Sequence, residues 1–237
     1  LWISDITSDI IHRLVVEKKL MGEPEFAGAD PLGKAGSGPG EFHGPAGICF
    51  NGENIFIADQ GNNRVQKFDR EGNFVQEISA VSRDRTLNQP FGLACDSRNL
   101  FVSEPAMGNV VQFDVFGNFV KTVSEGLFTK PRHISIHEKY LVVADEVSGV
   151  FIIDRENGEN TRILEYMSGD GSMQKFLRPY SAQMDSLGNL FVTDYAGHTL
   201  SQFVPEQFLY SNLEVWVERI HQKGFPASCL LSGALTF

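Results

Sequence analysis

Five carboxylates stand at matching places along this chain: Asp5, Asp59, Glu104, Asp145 and Asp194. If such side chains converged on one axis they would offer oxygen ligands for a metal, and the histidines His12, His43, His133, His137, His198 and His221 would be the nitrogen candidates. A metal site needs three or more converging ligands, and the spacing assembles no such set. The better expectation is structural: an acid at the end of a strand accepts the backbone N–H groups of the turn that follows. Arg64, five residues past Asp59, is placed to pair with it, whereas the equivalent positions hold Ile10, Asn109, Val150 and Thr199. The Gly-rich stretch GKAGSGPGEF, Gly33 to Phe42, looks superficially like a phosphate loop. A phosphate loop requires Ser or Thr after its Lys and a helix beyond. Ala35 follows Lys34 and a strand pattern follows the loop, so it reads as a linker, as does SGDGSMQKFLRP from Ser168 to Pro179.

The acids belong to a repeat. Pro45, Pro90, Pro131 and Pro179, spaced 45, 41 and 48 residues apart, each lead an alternating apolar run: PAGICF, PFGLAC, PRHISI and PYSAQM. A second run ends at the acid 14, 14, 14 and 15 residues later, in IFIAD, LFVSE, LVVAD and LFVTD. A third run closes 8 or 9 residues further on. The runs are short, rich in Val, Ile and Phe, and bounded by Gly, Asn and Asp, which predicts strands joined by tight turns. Asn51-Gly52 is a hairpin dipeptide because both residues tolerate positive φ. REGNF and VFGNF supply a further turn and a fourth strand. Units of about four antiparallel strands in roughly 45 residues stack as propeller blades. The expected fold is therefore all-β, a propeller of five to six blades cut at both ends. The expected boundaries are a partial blade and linker at 1–35, blades at 36–86, 87–128, 129–166 and 167–213, and a partial blade or following domain at 214–237.

Composition narrows the function classes. The 237 residues are 42% hydrophobic and 21% charged, with 30 acids against 20 bases and a formal net charge of −10. That suits a globular protein with a real core and argues against nucleic acid, whose partners carry basic faces. No apolar run approaches the length of a membrane span. Cys49, Cys95 and Cys229 are odd in number and widely spaced, which suggests neither a zinc knuckle nor a disulfide framework, and Cys49 and Cys95, inside apolar runs, are expected to be small core residues. A reducing compartment fits that usage, and a cytoplasmic location is slightly favoured. Leu1 stands where a Met would open a chain, so a missing N-terminus keeps secretion or the periplasm open.

The stretch GSGPGEFHGPAGICFNGENIFIADQGNNRVQKFDREGNFV, Gly36 to Val75, resembles the NHL repeat. The match is fair at Leu87–Val120 and weaker in the next two units. The resemblance implies a β-propeller but no single function. One similar group, the peptidyl-hydroxyglycine lyases, holds a divalent metal with histidines directly after the blade proline. The matching positions here are Ala46, Phe91, Arg132 and Tyr180, and His133 comes one residue late. A calcium-dependent lactonase-type propeller would need Glu, Asn and Asp in the channel, but turn duty accounts for Asn63, Asn99, Asn109 and Asn189. The RNA-binding NHL propellers have a basic top face, from which this acidic chain departs. These metal-dependent enzymes are the alternative reading. The preferred one is a non-catalytic scaffold module with no catalytic residue, metal or cofactor, binding a protein or peptide within a larger chain or assembly. Phe91, Arg132, His133 and Tyr180, at the starts of first strands, are the expected partner-binding residues, because aromatics with Arg make typical interface anchors.

Overall fold

The computed structural model describes residues 1–17, 25–167 and 172–204. The predicted partial unit at 214–237 lies outside them. Each unit of the repeat becomes one small antiparallel sheet. The first has three strands, Trp2–Asp5, Ile10–Glu17 and Glu25–Leu32, as expected of a blade lacking its first strand. Three four-stranded sheets follow, spanning Pro45–Ile78, Leu93–Val123 and Pro131–Ile163. A three-stranded sheet runs from Pro179 to Phe203. Strands neighbour one another in chain order throughout. This is a β-propeller.

The described residues fall into two compact units: Leu1–Glu104 with Val111–Lys121, and Pro105–Val110 with the residues from Thr122 onward. In the first unit, apolar side chains from alternate strand positions fill the space between neighbouring sheets. Phe56, Val65, Leu100, Val102 and Phe113 are fully buried in one such cluster. Ile11, Phe42, Ile55, Ile57 and Phe68 belong to another. The second unit does the same with Val142, Val150, Ala182, Val192 and Phe203.

The stretch Asn54–Asp69 is a structural tile, and its polar residues Asp59, Asn62, Asn63, Arg64 and Gln66 each have a task. Asn63 takes the left-handed backbone (φ 55°) that ends a short 3-10 turn at Gln60–Asn62, and its amide oxygen accepts the Gln89 N–H at 2.8 Å. Asp59 is fully buried and accepts four hydrogen bonds, from the His43 N–H (2.8 Å), Asn62 Nδ2 (2.9 Å), Arg64 Nε (2.8 Å) and Gln66 Nε2 (3.0 Å). Arg64 and Gln66 then clasp the Gly-rich linker by donating to the carbonyls of Gly38 and Glu41. The linker's own amides are spent internally: Gly38 N–H on Glu41 Oε2 and Gly40 N–H on Gln66 Oε1, both at 2.9 Å. The linker therefore serves packing rather than phosphate binding.

The recurring acids extend this pattern. Each accepts a backbone N–H from the residue two before its blade proline: Asp59 from His43, Glu104 from Asn88, Asp145 from Thr129 and Asp194 from Leu177. Asp145 also takes the N–H groups of Lys130, Val147 and Ser148. Asp5 takes those of Thr7 and Ser8. Asp145 and Asp194 thus close the following turn and also clamp the chain entering the blade, while Asp59 and Glu104 supply the clamp and Asp5 the turn.

The stretch SRDRTLNQPF, Ser82 to Phe91, has structure of its own. Ala80–Ser82 pairs with Arg85–Thr86, Arg85 bonds Glu104, and Leu87 is buried. One expectation needs correction: Cys49 and Cys95 are not merely small core residues. They form a disulfide with Cα atoms 5.9 Å apart. The first strands of neighbouring sheets approach closely here, and the Gly47 N–H donates to the Phe91 carbonyl at 2.8 Å. A Cβ on Gly47 would sit 2.5 Å from that oxygen, so only glycine fits. Disulfides persist in oxidising compartments, so this pair does not point to the reducing compartment expected from the cysteine count.

Candidate partner-binding site

In the second unit the strand pairing puts a blade proline opposite a blade acid: Pro131 opposite Asp145 and Pro179 opposite Asp194. The register then slips by one residue, between Pro131 and His133 and again between Pro179 and Ser181. The extra residues are Arg132 and Tyr180. A bulge of this kind leaves its extra residue out of the ladder and re-aims its side chain. Proline promotes the break, because it has no N–H to give to the ladder.

The two re-aimed residues meet. The Arg132 guanidinium lies over the Tyr180 ring, 5.7 Å from its centroid. Tyr195, the residue after the acid of its blade, has its ring 6.2 Å from that of Tyr180, and the Arg178 guanidinium lies 5.3 Å from its centroid. Glu146 is the common anchor. Its side chain is 5% exposed, and it accepts from Arg132 Nε at 2.7 Å, from Lys130 Nζ at 3.1–3.2 Å, and from Arg178. Burial alone would push this carboxyl up, but the hydrogen bonds from the three cations overcome that and hold it down to about 2. Burial raises the Tyr180 phenol above its usual value, so at neutral pH the ring keeps its proton.

Of the four residues expected from sequence, the structure brings Arg132 and Tyr180 together. His133 points elsewhere. Its Nδ1 lies 3.0 Å from the Ala182 carbonyl oxygen, which also accepts from Ser135 Oγ, and desolvation lowers its pKa. Phe91 belongs to the first unit, where it packs against the cluster around Phe56 and Phe113. Sequence reasoning missed Lys130, Glu146, Arg178 and Tyr195. The repeat does mark them, because Lys130 and Arg178 each precede a blade proline while Glu146 and Tyr195 each follow a blade acid.

Among the described residues, no group of three or more His, Cys, Asp or Glu side chains is placed to hold a metal ion. No helix there is long and apolar enough to cross a membrane.

Comparison with known proteins bears on the repeat and the fold. The NHL repeat family matches residues 42–68, the segment that contains the Asp59–Arg64 clasp. The chain carries an NHL repeat. Over 57 residues, 22% of its length, it is 46% identical to protein lin-41 of Caenorhabditis elegans, and the match spans 5% of that protein. Among solved structures, an inactive virginiamycin B lyase from Staphylococcus aureus with quinupristin superposes with a TM-score of 0.58 at 15% identity. That alignment covers 86% of this chain and 62% of the lyase. The Kuenenia stuttgartiensis hydrazine synthase superposes with a TM-score of 0.53 at 19% identity, covering 69% of this chain and 46% of that one. Identities this low speak to the shared fold alone. The chain spans under two thirds of the length of each of these relatives.

Proposed function

We propose that this NHL-repeat propeller is a non-catalytic module that binds a protein or peptide partner, within a larger chain or assembly, through the Arg132–Tyr180 face of its second unit. The observation behind the reading is the pair of bulges that takes Arg132 and Tyr180 out of their ladders and stacks them beside Tyr195 and Arg178. Tyr and Arg on a fixed support are the residue types that dominate interface energetics. The support is rigid, because Glu146 ties Lys130, Arg132 and Arg178 into one hydrogen-bonded set. A site held this way loses little entropy on binding. Tyr195 (46% exposed) and the Arg178 side chain (47%) remain open to a partner.

The test is selection of a random peptide display library on the intact chain, with counter-screening on Tyr195→Ala and Arg178→Ala. Both variants are first checked for native circular dichroism. The expected result is enriched peptides whose binding drops at least about tenfold in both variants. Peptides that bind the variants as well as the parent, or no enrichment at all, would overturn the proposal.

A further inference from the structure

Resting on that reading, the charge layout of the same face names the chemistry of its partner. Three cations, Lys130, Arg132 and Arg178, converge on the single carboxylate of Glu146. The neighbouring acids Asp145 and Asp194 are buried beneath the cluster, with their oxygens on backbone N–H groups, four on Asp145 and three on Asp194. The Arg178 guanidinium bonds Glu146 and lies against the Tyr195 ring. Nearly half of that side chain faces solvent, as does 39% of the Lys130 side chain. The exposed edge of the cluster is thus cationic, with its carboxylates buried behind it, on a chain whose net charge is −10.

We infer that this edge takes a carboxylate from an acidic peptide segment, an Asp or Glu side chain, with the peptide backbone lying along Tyr195. Glu146 already shows the mode of recognition: a carboxylate held by Lys and Arg donors beside a tyrosine ring. Charge-assisted bonds from Arg to carboxylate are among the stronger hydrogen bonds available. Val147 (63% exposed) and Leu177 (62% exposed), next in the chain to Glu146 and Arg178, add apolar surface for a peptide. A nucleic acid fits less well. It would carry repeated phosphates across an acidic surface, and strong phosphate binding depends on many cations rather than one cluster.

The experiment measures fluorescence anisotropy of a fluorescein-labelled hexaglutamate peptide against the hexaglutamine peptide of the same length. The proteins are the intact chain and its Arg178→Ala, Lys130→Ala and Lys175→Ala variants. Lys175 is an exposed lysine paired with Glu165 and serves as the control for general charge. The expected result is about tenfold tighter binding of hexaglutamate, lost in Arg178→Ala and Lys130→Ala and kept in Lys175→Ala. Equal binding of the two peptides would overturn the inference, as would an equal loss in the Lys175 variant. Displacement of the peptide by a uridine dodecamer at lower concentration would overturn it in favour of RNA. If the display selection instead yields neutral peptides that need Tyr195, the binding-module reading stands and the acidic partner does not.

Discussion

Asp59→Ala should be among the most damaging single substitutions in the first unit. Its carboxylate is fully buried and accepts four hydrogen bonds, one of them from an arginine whose side chain is 7% exposed. Truncation leaves the Arg64 charge buried, with Glu77 at 3.0 Å as its remaining carboxylate. It also orphans the His43 N–H, which holds the chain entering the blade. Breaking a buried ion pair by removing one partner costs about 3–5 kcal/mol. Against a total stability of roughly 5–15 kcal/mol, that is a large fraction. It corresponds to a fall in Tm of about 6–20 °C for a chain of this size. Thermal and urea unfolding followed by circular dichroism would measure it. Asp69→Ala is the comparison, because Asp69 also accepts a backbone N–H and a side-chain amide, both from Asn73, but does so at an exposed turn. Asp59→Asn should fall between the two, since it keeps the shape but turns one acceptor into a donor facing other donors. If Asp59→Ala shifts the midpoint no more than Asp69→Ala, then the clasp does not hold the blade together.

Two further outcomes follow from other parts of the structure. Reducing the Cys49–Cys95 bond, or replacing both residues with Ser, should cost about 4 kcal/mol by loop-closure entropy, given a sequence separation of 46 residues. Thiol titration of the denatured chain should find two fewer thiols before reduction than after it. Glu146 has its folded pKa depressed to about 2, so its contribution to stability is present above the unfolded glutamate pKa and is lost as pH falls toward 2. The Tm difference between the parent and Glu146→Gln should therefore be largest near neutral pH and shrink below about pH 4.5. A difference that stays flat from pH 7 to pH 2.5 would contradict the ion cluster.

The fold was legible because it is written redundantly. The proline-to-acid interval recurs in four units, and each occurrence marks the same strand pair, so Pro131 opposite Asp145 and Pro179 opposite Asp194 are consequences of spacing alone. The double duty of the acids was only half legible. A turn N–H lies two or three residues away in sequence, whereas the clamped N–H of Thr129 lies 16 residues away and needs the strand pairing to bring it near. The disulfide was missed for a related reason. Cys49 and Cys95 lie almost one repeat apart, which puts them on the first strands of adjacent sheets, but counting cysteines discards that register. Arg132 and Tyr180 could be picked from sequence as basic and aromatic residues after a proline, whereas Glu146 is marked only by its place after Asp145 and its role as their anchor is not. Its importance comes from three cations that meet only after folding.

The bulge would let framework and the proposed recognition share one strand. The proline and the acid are bound into the pairing and into the N–H clamp, so their chemistry is fixed by the blade. In the second unit the residue just after the proline, Arg132 or Tyr180, lies outside the ladder, whereas in the first unit Ala46 and Phe91 pack into the core. Where the bulge frees it, the side chain can be chosen for what it meets outside the ladder. Exchanging Tyr180 should therefore alter what the second unit binds far more than it alters the sheet from Pro179 to Phe203. Exchanging Asp194, one strand away and bound to three backbone N–H groups, should do the reverse.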